Sequence, residues 1–304
     1  MKILKIKIIL TIIFLISFSY SYGQLVNDIK VNEDTILASK KYNSKISIGQ
    51  NGNLAIVWAN EYYNIKSANI YCQIFNYKLN RIGENFRVNS IPDSSVMPDV
   101  SIAKNGNIGI VFQTYNPTRI YFKLFNKDGI ELTPDIQIID TINADYDGFP
   151  AIAADDNNGF IIVFEYPPST GGWDIYYQGI DSIGNKIGHN VNVSLIGSVY
   201  ITSILSGPKI AIQKSGGFII TWTDHRPIAP TGDIYMQMFD RDGNRIGVNT
   251  RVNDPDFEPE DVQCAPQIAV DSSGGFTIEF DDSLYSLGVD GVKYQRFDKN
   301  GVKL

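Results

Sequence analysis

Apolar and polar positions along this chain alternate in short blocks, and the blocks repeat. The clearest copy runs from Pro208 to Asn253. It opens on an apolar, β-branched stretch, Lys209-Ile-Ala-Ile212. A turn at Ser215-Gly216 follows, then Phe218-Ile-Ile-Thr-Trp222, which is apolar on both faces. After a variable loop comes Asp233 to Asp240, then a second turn at Asp242-Gly243 and a more polar stretch ending Arg251-Val-Asn253. Each block is strand-length and bounded by residues that accept positive φ, so each unit reads as four strands joined mostly by tight turns. The doubly apolar second strand is expected to be covered on both sides, and the polar fourth to lie at an outer edge. Beyond the first 23 residues no stretch sustains a helical apolar period.

The unit occurs five times, with first strands starting near residues 44, 98, 150, 208 and 266, at spacings of 54, 52, 58 and 58. The first turn recurs at Asn51-Gly52, Asn105-Gly106, Asn158-Gly159, Ser215-Gly216 and Ser273-Gly274. A fixed period of this size marks a repeat architecture, and four antiparallel strands per repeat make a propeller blade. The chain is therefore expected to be all-β: a five-bladed β-propeller of four-stranded antiparallel blades. The fifth copy stops at Lys303-Leu304, where its fourth strand begins, and Asn27 to Asn32 resembles the missing strand. Residues 24–35 are expected to supply it and close the ring, since an open ring leaves two apolar blade faces uncovered.

Residues 1–23 carry three lysines (Lys2, Lys5, Lys7), an apolar run from Ile8 to Phe18 and small residues before Gln24. This is the pattern of a signal peptide, and the apolar run is about half the ~20 residues that a spanning helix needs. Residues 24–304 then form one domain, expected to be secreted or periplasmic, monomeric and without a membrane span. Removing the leader takes the net charge from −7 to −10, which excludes nucleic acid as a partner. The two cysteines, Cys72 and Cys264, fall at unlike strand positions and are expected to be free.

Turns on one face of such a ring are short and uniform, while loops between second and third strands vary, so a site is expected on the variable face. Those loops carry aromatic and charged residues: Tyr63, Tyr115, Glu165, Trp173, Asp224, His225, Arg226, Asp282 and Tyr285. Aromatic planes beside carboxylates and amides suit stacking and hydrogen bonding to a glycan or a peptide. Within Trp222-Thr-Asp224-His225-Arg226 an internal Asp–Arg pair bracing the loop competes with ligand binding. The stretch from Asp254 to Asp261 packs five acids into eight residues and raises calcium as an alternative to the expectation of no cofactor. It departs from the EF-hand loop at Pro259 and Ala265.

Trp222-x-Asp224-x-Arg226, then Asp233-Ile-Tyr-x-Gln-x-Phe-Asp-x-x-Gly243 and the closing Val252-Asn253, resemble the propeller-like repeats of large secreted bacterial proteins. That resemblance implies the fold and no particular chemistry. Five-bladed glycosidases draw carboxylates from innermost strands. Here those strands read Ile46-Ser-Ile, Val100-Ser-Ile, Ile152-Ala-Ala, Ile210-Ala-Ile and Ile268-Ala-Val, with Asp99 and Asp155 only flanking. The reading that follows is a non-catalytic binding module for an extracellular glycan or an envelope protein. The alternatives are a glycan hydrolase using loop carboxylates such as Glu165, Asp224 and Asp282, or a scaffold.

Overall fold

A computed structural model describes residues 28–33, 39–62, 67–115, 117–139, 148–167, 173–195, 207–224, 232–254, 261–284 and 289–304. The chain divides into two units, Met1–Val31 and Asn32–Leu304. In the first, residues 28–31 form no strand. The second is built wholly of antiparallel sheet, with no helix among the described residues, and so none long and apolar enough to cross a membrane.

Its strands fall into five sheets in chain order. The first holds β1 (Ser39–Ile48), β2 (Leu54–Tyr62), β3 (Ser67–Phe75) and β4 (Arg81–Arg87). The second holds β5 (Ser95–Ile102), β6 (Ile108–Thr114), β7 (Ile120–Phe125) and β8 (Ile136–Gln137). The third holds β9 (Gly148–Ala154), β10 (Phe160–Tyr166), β11 (Asp174–Ile180) and β12 (Lys186–Asn192). The fourth holds β13 (Lys209–Ile212), β14 (Phe218–Asp224), β15 (Asp233–Phe239) and β16 (Arg245–Arg251). The fifth holds β17 (Asp261–Val270), β18 (Phe276–Leu284) and β19 (Val289–Phe297), with Lys303 bridging Phe297 where a fourth strand would begin. Every sheet is an up-and-down meander, so each repeat of the sequence is one blade.

The second strands are buried as their doubly apolar sequences require: β6 and β14 are buried at every position. Apolar side chains of successive blades pack into four cores, the first joining Val57, Ile70 and Ile74 to Val100, Ile108 and Phe112. The first turn of each blade has a positive-φ residue at one repeat position: Gly52, Gly106, Asn158, Gly216 and Gly274. In the third blade Asn158 fills the place that sequence reading gave to Gly159, and Asn tolerates that conformation better than most residues. Cys72 and Cys264 are free thiols.

The lower ends of all five innermost strands share one cavity of 450 Å³, lined by Ile48, Ile102, Ala154, Ile212 and Val270. Five blades thus surround a common axis. Between the fifth and first blades the faces are less covered. Ile46 and Ile48 on β1 are 59% and 68% exposed, and Val292 and Tyr294 on β19 are 68% and 72% exposed.

Candidate functional site

A second repeat position organises the upper part of the axis. Four innermost strands take a non-glycine residue into the left-handed region, at Asn43 (φ 52°), Met97 (φ 48°), Phe149 (φ 53°) and Ala265 (φ 57°). The pairing register slips beside each of them, as in a β-bulge. Bulges and strained backbone of this kind re-aim side chains and gather at functional sites. Two residues on, at one repeat position, stand Lys45, Asp99, Ala151 and Gln267, with Lys209 at the matching place in the fourth blade.

The fourth blade carries Gly207 at the bulge position. A Cβ there would collide with the Cβ of Phe149 in the third blade, so glycine permits the close approach of the two segments. The Gly207 carbonyl accepts a hydrogen bond from Lys209 Nζ at 2.8 Å. Gly207→Ala is expected to cost roughly 1–3 kcal/mol through overpacking, read as a lowered denaturant midpoint, and to displace Lys209.

Asp99 is the acid of this tier. Its Oδ2 accepts the Ile152 amide of the next innermost strand at 3.0 Å, and Oδ1 accepts the Val100 amide at 3.0 Å. Lys45 on β1 and Lys209 on β13 both act on its charge. Although Asp99 keeps part of its surface open, desolvation raises its pKa above the usual carboxylate range, against the pull of the two amides and two lysines.

Glu165, near the upper end of β10, is 3% exposed, and the charge of Lys209 acts on it. Burial pushes its carboxyl to about 8, and Lys209 opposes the shift. Lys209 in turn is lowered to about 8, by burial first and then by Lys45, while Asp99 and Glu165 pull it back up. At the position of Glu165 the other blades carry Ala59, Gln113, Thr223 and Asp281. Burial thus favours the protonated form of Glu165, with the Lys209 charge opposing it.

The described sequence-nominated residues are distributed over several blades. Glu165 is buried in the third blade. Asp224 is buried at the end of β14, where the Trp222 indole N–H donates to its Oδ2 at 3.3 Å. Asp282 is buried in β18, receiving the Gln263 amide at 2.8 Å and Lys293 Nζ at 2.6 Å. Asp224 and Asp282 share a repeat position with Asn60, one residue beyond that of Glu165, so alternation along the strand turns them to the opposite blade face. The face of β10 that carries Glu165 packs through Val163 against the face of β14 that carries Asp224, through Trp222, so these two acids belong to one interblade interface. Tyr115 is 48% exposed at the end of β6, and Trp173 is half-buried just before β11. Tyr63, His225, Arg226 and Tyr285 lie outside the described residues, as does 255–260 of the acidic stretch. Among the described residues no three His, Cys, Asp or Glu side chains are grouped to hold a metal ion.

Sequence reading missed Lys45, Lys209 and Gly207 and set Asp99 aside as a flanking residue. The available signal was period two. Asp99 shares a face with Ser101, whose hydroxyl accepts the Ala154 amide, and Ser47 accepts the Ile102 amide in the same way.

The described unit is a five-bladed β-propeller whose innermost strands carry Asp99 and Lys209 and whose third blade buries Glu165. No family model matches the sequence, and no curated protein resembles it. Solved structures do share the fold. A protein of unknown function from Dyadobacter fermentans aligns with a TM-score of 0.60 at 9% identity, over 91% of this chain and 83% of that one. The α-L-arabinofuranosidase of Fusarium graminearum aligns at 0.51 and 12% identity, over 86% and 78%. The α-L-arabinanase of Penicillium chrysogenum, solved with arabinobiose, aligns at 0.51 and 14%, over 84% and 75%. The expectation of a non-catalytic module is overturned on this point: two solved proteins of the same fold are glycosidases. The objection that the innermost strands offer no carboxylate falls with the position of Asp99.

Proposed function

We propose that the protein is a secreted hydrolase of an extracellular glycan, acting at the upper end of the propeller axis. The observation that carries the reading is Glu165, a carboxyl held protonated to about pH 8 in electrostatic reach of a lysine that it shares with Asp99. Glycoside cleavage needs two carboxyl groups in opposite protonation states. Glu165 gives its proton to the leaving glycosidic oxygen as the C–O bond breaks. Asp99, as carboxylate, either removes a proton from the attacking water or bonds to the anomeric carbon and is later released by water. Lys45 and Lys209 pull toward the ionised form of Asp99, against the larger effect of desolvation. Tyr115 and Trp173 offer stacking surfaces for sugar rings.

Ring closure by residues 24–35 is part of the same reading. It is supported by the three strands described in the fifth sheet and by the exposed faces of β1 and β19. The ion pair of Glu33 with Arg81 on β4, at 2.9 Å, also supports it. Arg245, at the matching place one blade back from the end, reaches the Asn192 carbonyl at the close of the preceding blade's fourth strand. Secretion rests on the leader-like residues 1–23.

The test is release of reducing ends from a panel of polysaccharides, arabinan among them, followed against pH. Turnover is expected to fall as pH rises through about 8, where Glu165 loses its proton, and again in acid as Asp99 gains one. A rate that stays level across both limbs contradicts these roles.

A further inference from the structure

Strand β9 is tied to the second blade by side chains, since its backbone ladder belongs to the third. Three acceptors of the second blade take three of its amides. Gln113 Oε1 accepts the Phe149 N–H at 3.2 Å, Asp99 Oδ2 the Ile152 N–H at 3.0 Å and Ser101 Oγ the Ala154 N–H at 2.9 Å.

The first two of these bonds bracket the β9 bulge. Where β10 advances two residues, from Val163 to Glu165, β9 spends three, from Ala151 to Gly148. The additional residue is accommodated where Phe149 takes a φ of 53°. That conformation is costly for a bulky side chain and persists only where the surroundings hold it. Two contacts do so here. Gln113 fixes the Phe149 amide, and Gly207 of the fourth blade lies so close to Phe149 that no Cβ fits between them.

The bulge also stands between the anchors of two carboxyls. On one side Gly148 is the ladder partner of Glu165, and on the other Ile152 holds Asp99. These carboxyls come from the third and second blades, and β9 is the strand that both engage. The conformation of the bulge therefore sets their separation, on which glycoside cleavage depends. Gln113 is suited to hold it, being 7% exposed and in register with Val96, beside the sister bulge at Met97. Of its repeat relatives, Ala59 has no side-chain acceptor, and the buried Thr223 hydroxyl finds no partner among the described residues.

We infer that Gln113 is a positioning residue: by holding the Phe149 amide it fixes the β9 bulge, and with it the separation of Asp99 and Glu165. The inference rests on the hydrolase reading for the reaction that these two groups perform. The clamp itself rests on hydrogen bonds and strand register.

The test uses Gln113→Leu, which removes the acceptor, and Gln113→Glu, which keeps an acceptor oxygen in either protonation state. Gln113→Asn, whose acceptor is drawn back by one methylene, replaces the leucine variant if that one does not fold. Two readouts need no substrate. Hydrogen exchange of the Phe149 amide, followed by NMR, is expected to quicken about tenfold in Gln113→Leu and to return toward wild type in Gln113→Glu. The Glu165 carboxyl signal, assigned by its absence in Glu165→Gln, is expected to titrate about one unit lower in Gln113→Leu, as the loosened bulge admits water. On a glycan that the wild type cleaves, kcat is expected to fall about tenfold or more in Gln113→Leu with KM little changed, and to recover in Gln113→Glu. An unchanged exchange rate, an unmoved Glu165 titration, or a kcat that holds in Gln113→Leu or stays low in Gln113→Glu overturns the inference. Both NMR changes in a protein that cleaves no glycan uphold the positioning of Glu165 and remove the hydrolase reading.

Discussion

Glu165→Gln is expected to lower turnover by about a thousandfold while leaving the protein folded, within the range by which a positioned general acid contributes. The amide keeps the shape of the side chain and its place beside Lys209 but has no proton to give. The same substitution carries a stability signature that a merely structural residue would not show. The folded-state pKa of Glu165 lies above its unfolded value, so the folded protein binds this proton more tightly. The contribution is fully present at low pH, declines as pH rises out of the ordinary carboxylate range and is lost by about pH 8. Glutamine removes that decline. The variant is therefore expected to gain thermal stability over wild type at pH 8–9 and to differ little at pH 4. A variant that loses turnover and is destabilised at every pH would point to a packing role.

Deleting residues 25–32 from the leader-free protein is expected to cost on the order of 3–5 kcal/mol and to promote association. In the described blades the valine of each closing stretch is fully covered: Val88, Val193 and Val252 are at most 1% exposed. Val31 stands at the same place in the sequence repeat. On the closure reading, the deletion removes a half-buried valine and the cover of a sheet edge beside exposed Val292 and Tyr294. The thermal midpoint is expected to fall by about 10 °C, and light scattering to show dimers or larger species. A deletion variant as stable and monomeric as the parent refutes closure by this segment.

The blade repeat was legible because it is written in features with direct physical meaning. Positive-φ turn residues recur at one position, and the apolar second strands agree in all five copies. The site was less legible for two reasons. The bulge at Asn43, Met97, Phe149 and Ala265 inserts a residue into each innermost strand, so a plain count of apolar positions placed Asp99 outside the strand it belongs to. Meanwhile Glu165, Asp224 and Asp282 look alike in sequence, but strand alternation turns the first two toward the interface of the third and fourth blades and Asp282 toward that of the fourth and fifth. Local replacements were also hidden. Lys123 takes the buried place that Gln73, Gln178 and Gln237 hold in sister blades. It is accommodated by Glu131 at 2.8 Å, Asp135 at 3.4 Å and the Ser90 hydroxyl at 2.6 Å. Nothing in its own strand announces those partners, which come from the turn and strand that follow it and from the preceding blade.

The most direct measurement is the release of new reducing ends from a polysaccharide panel spanning neutral and anionic glycans, run in parallel with wild-type, Glu165→Gln and Asp99→Asn proteins. The account predicts that wild type cleaves at least one glycan, with loss of cleavage in both variants although both melt cooperatively. Absence of cleavage of any glycan by the wild type, or cleavage that persists in both variants, contradicts a hydrolytic site built on Asp99 and Glu165.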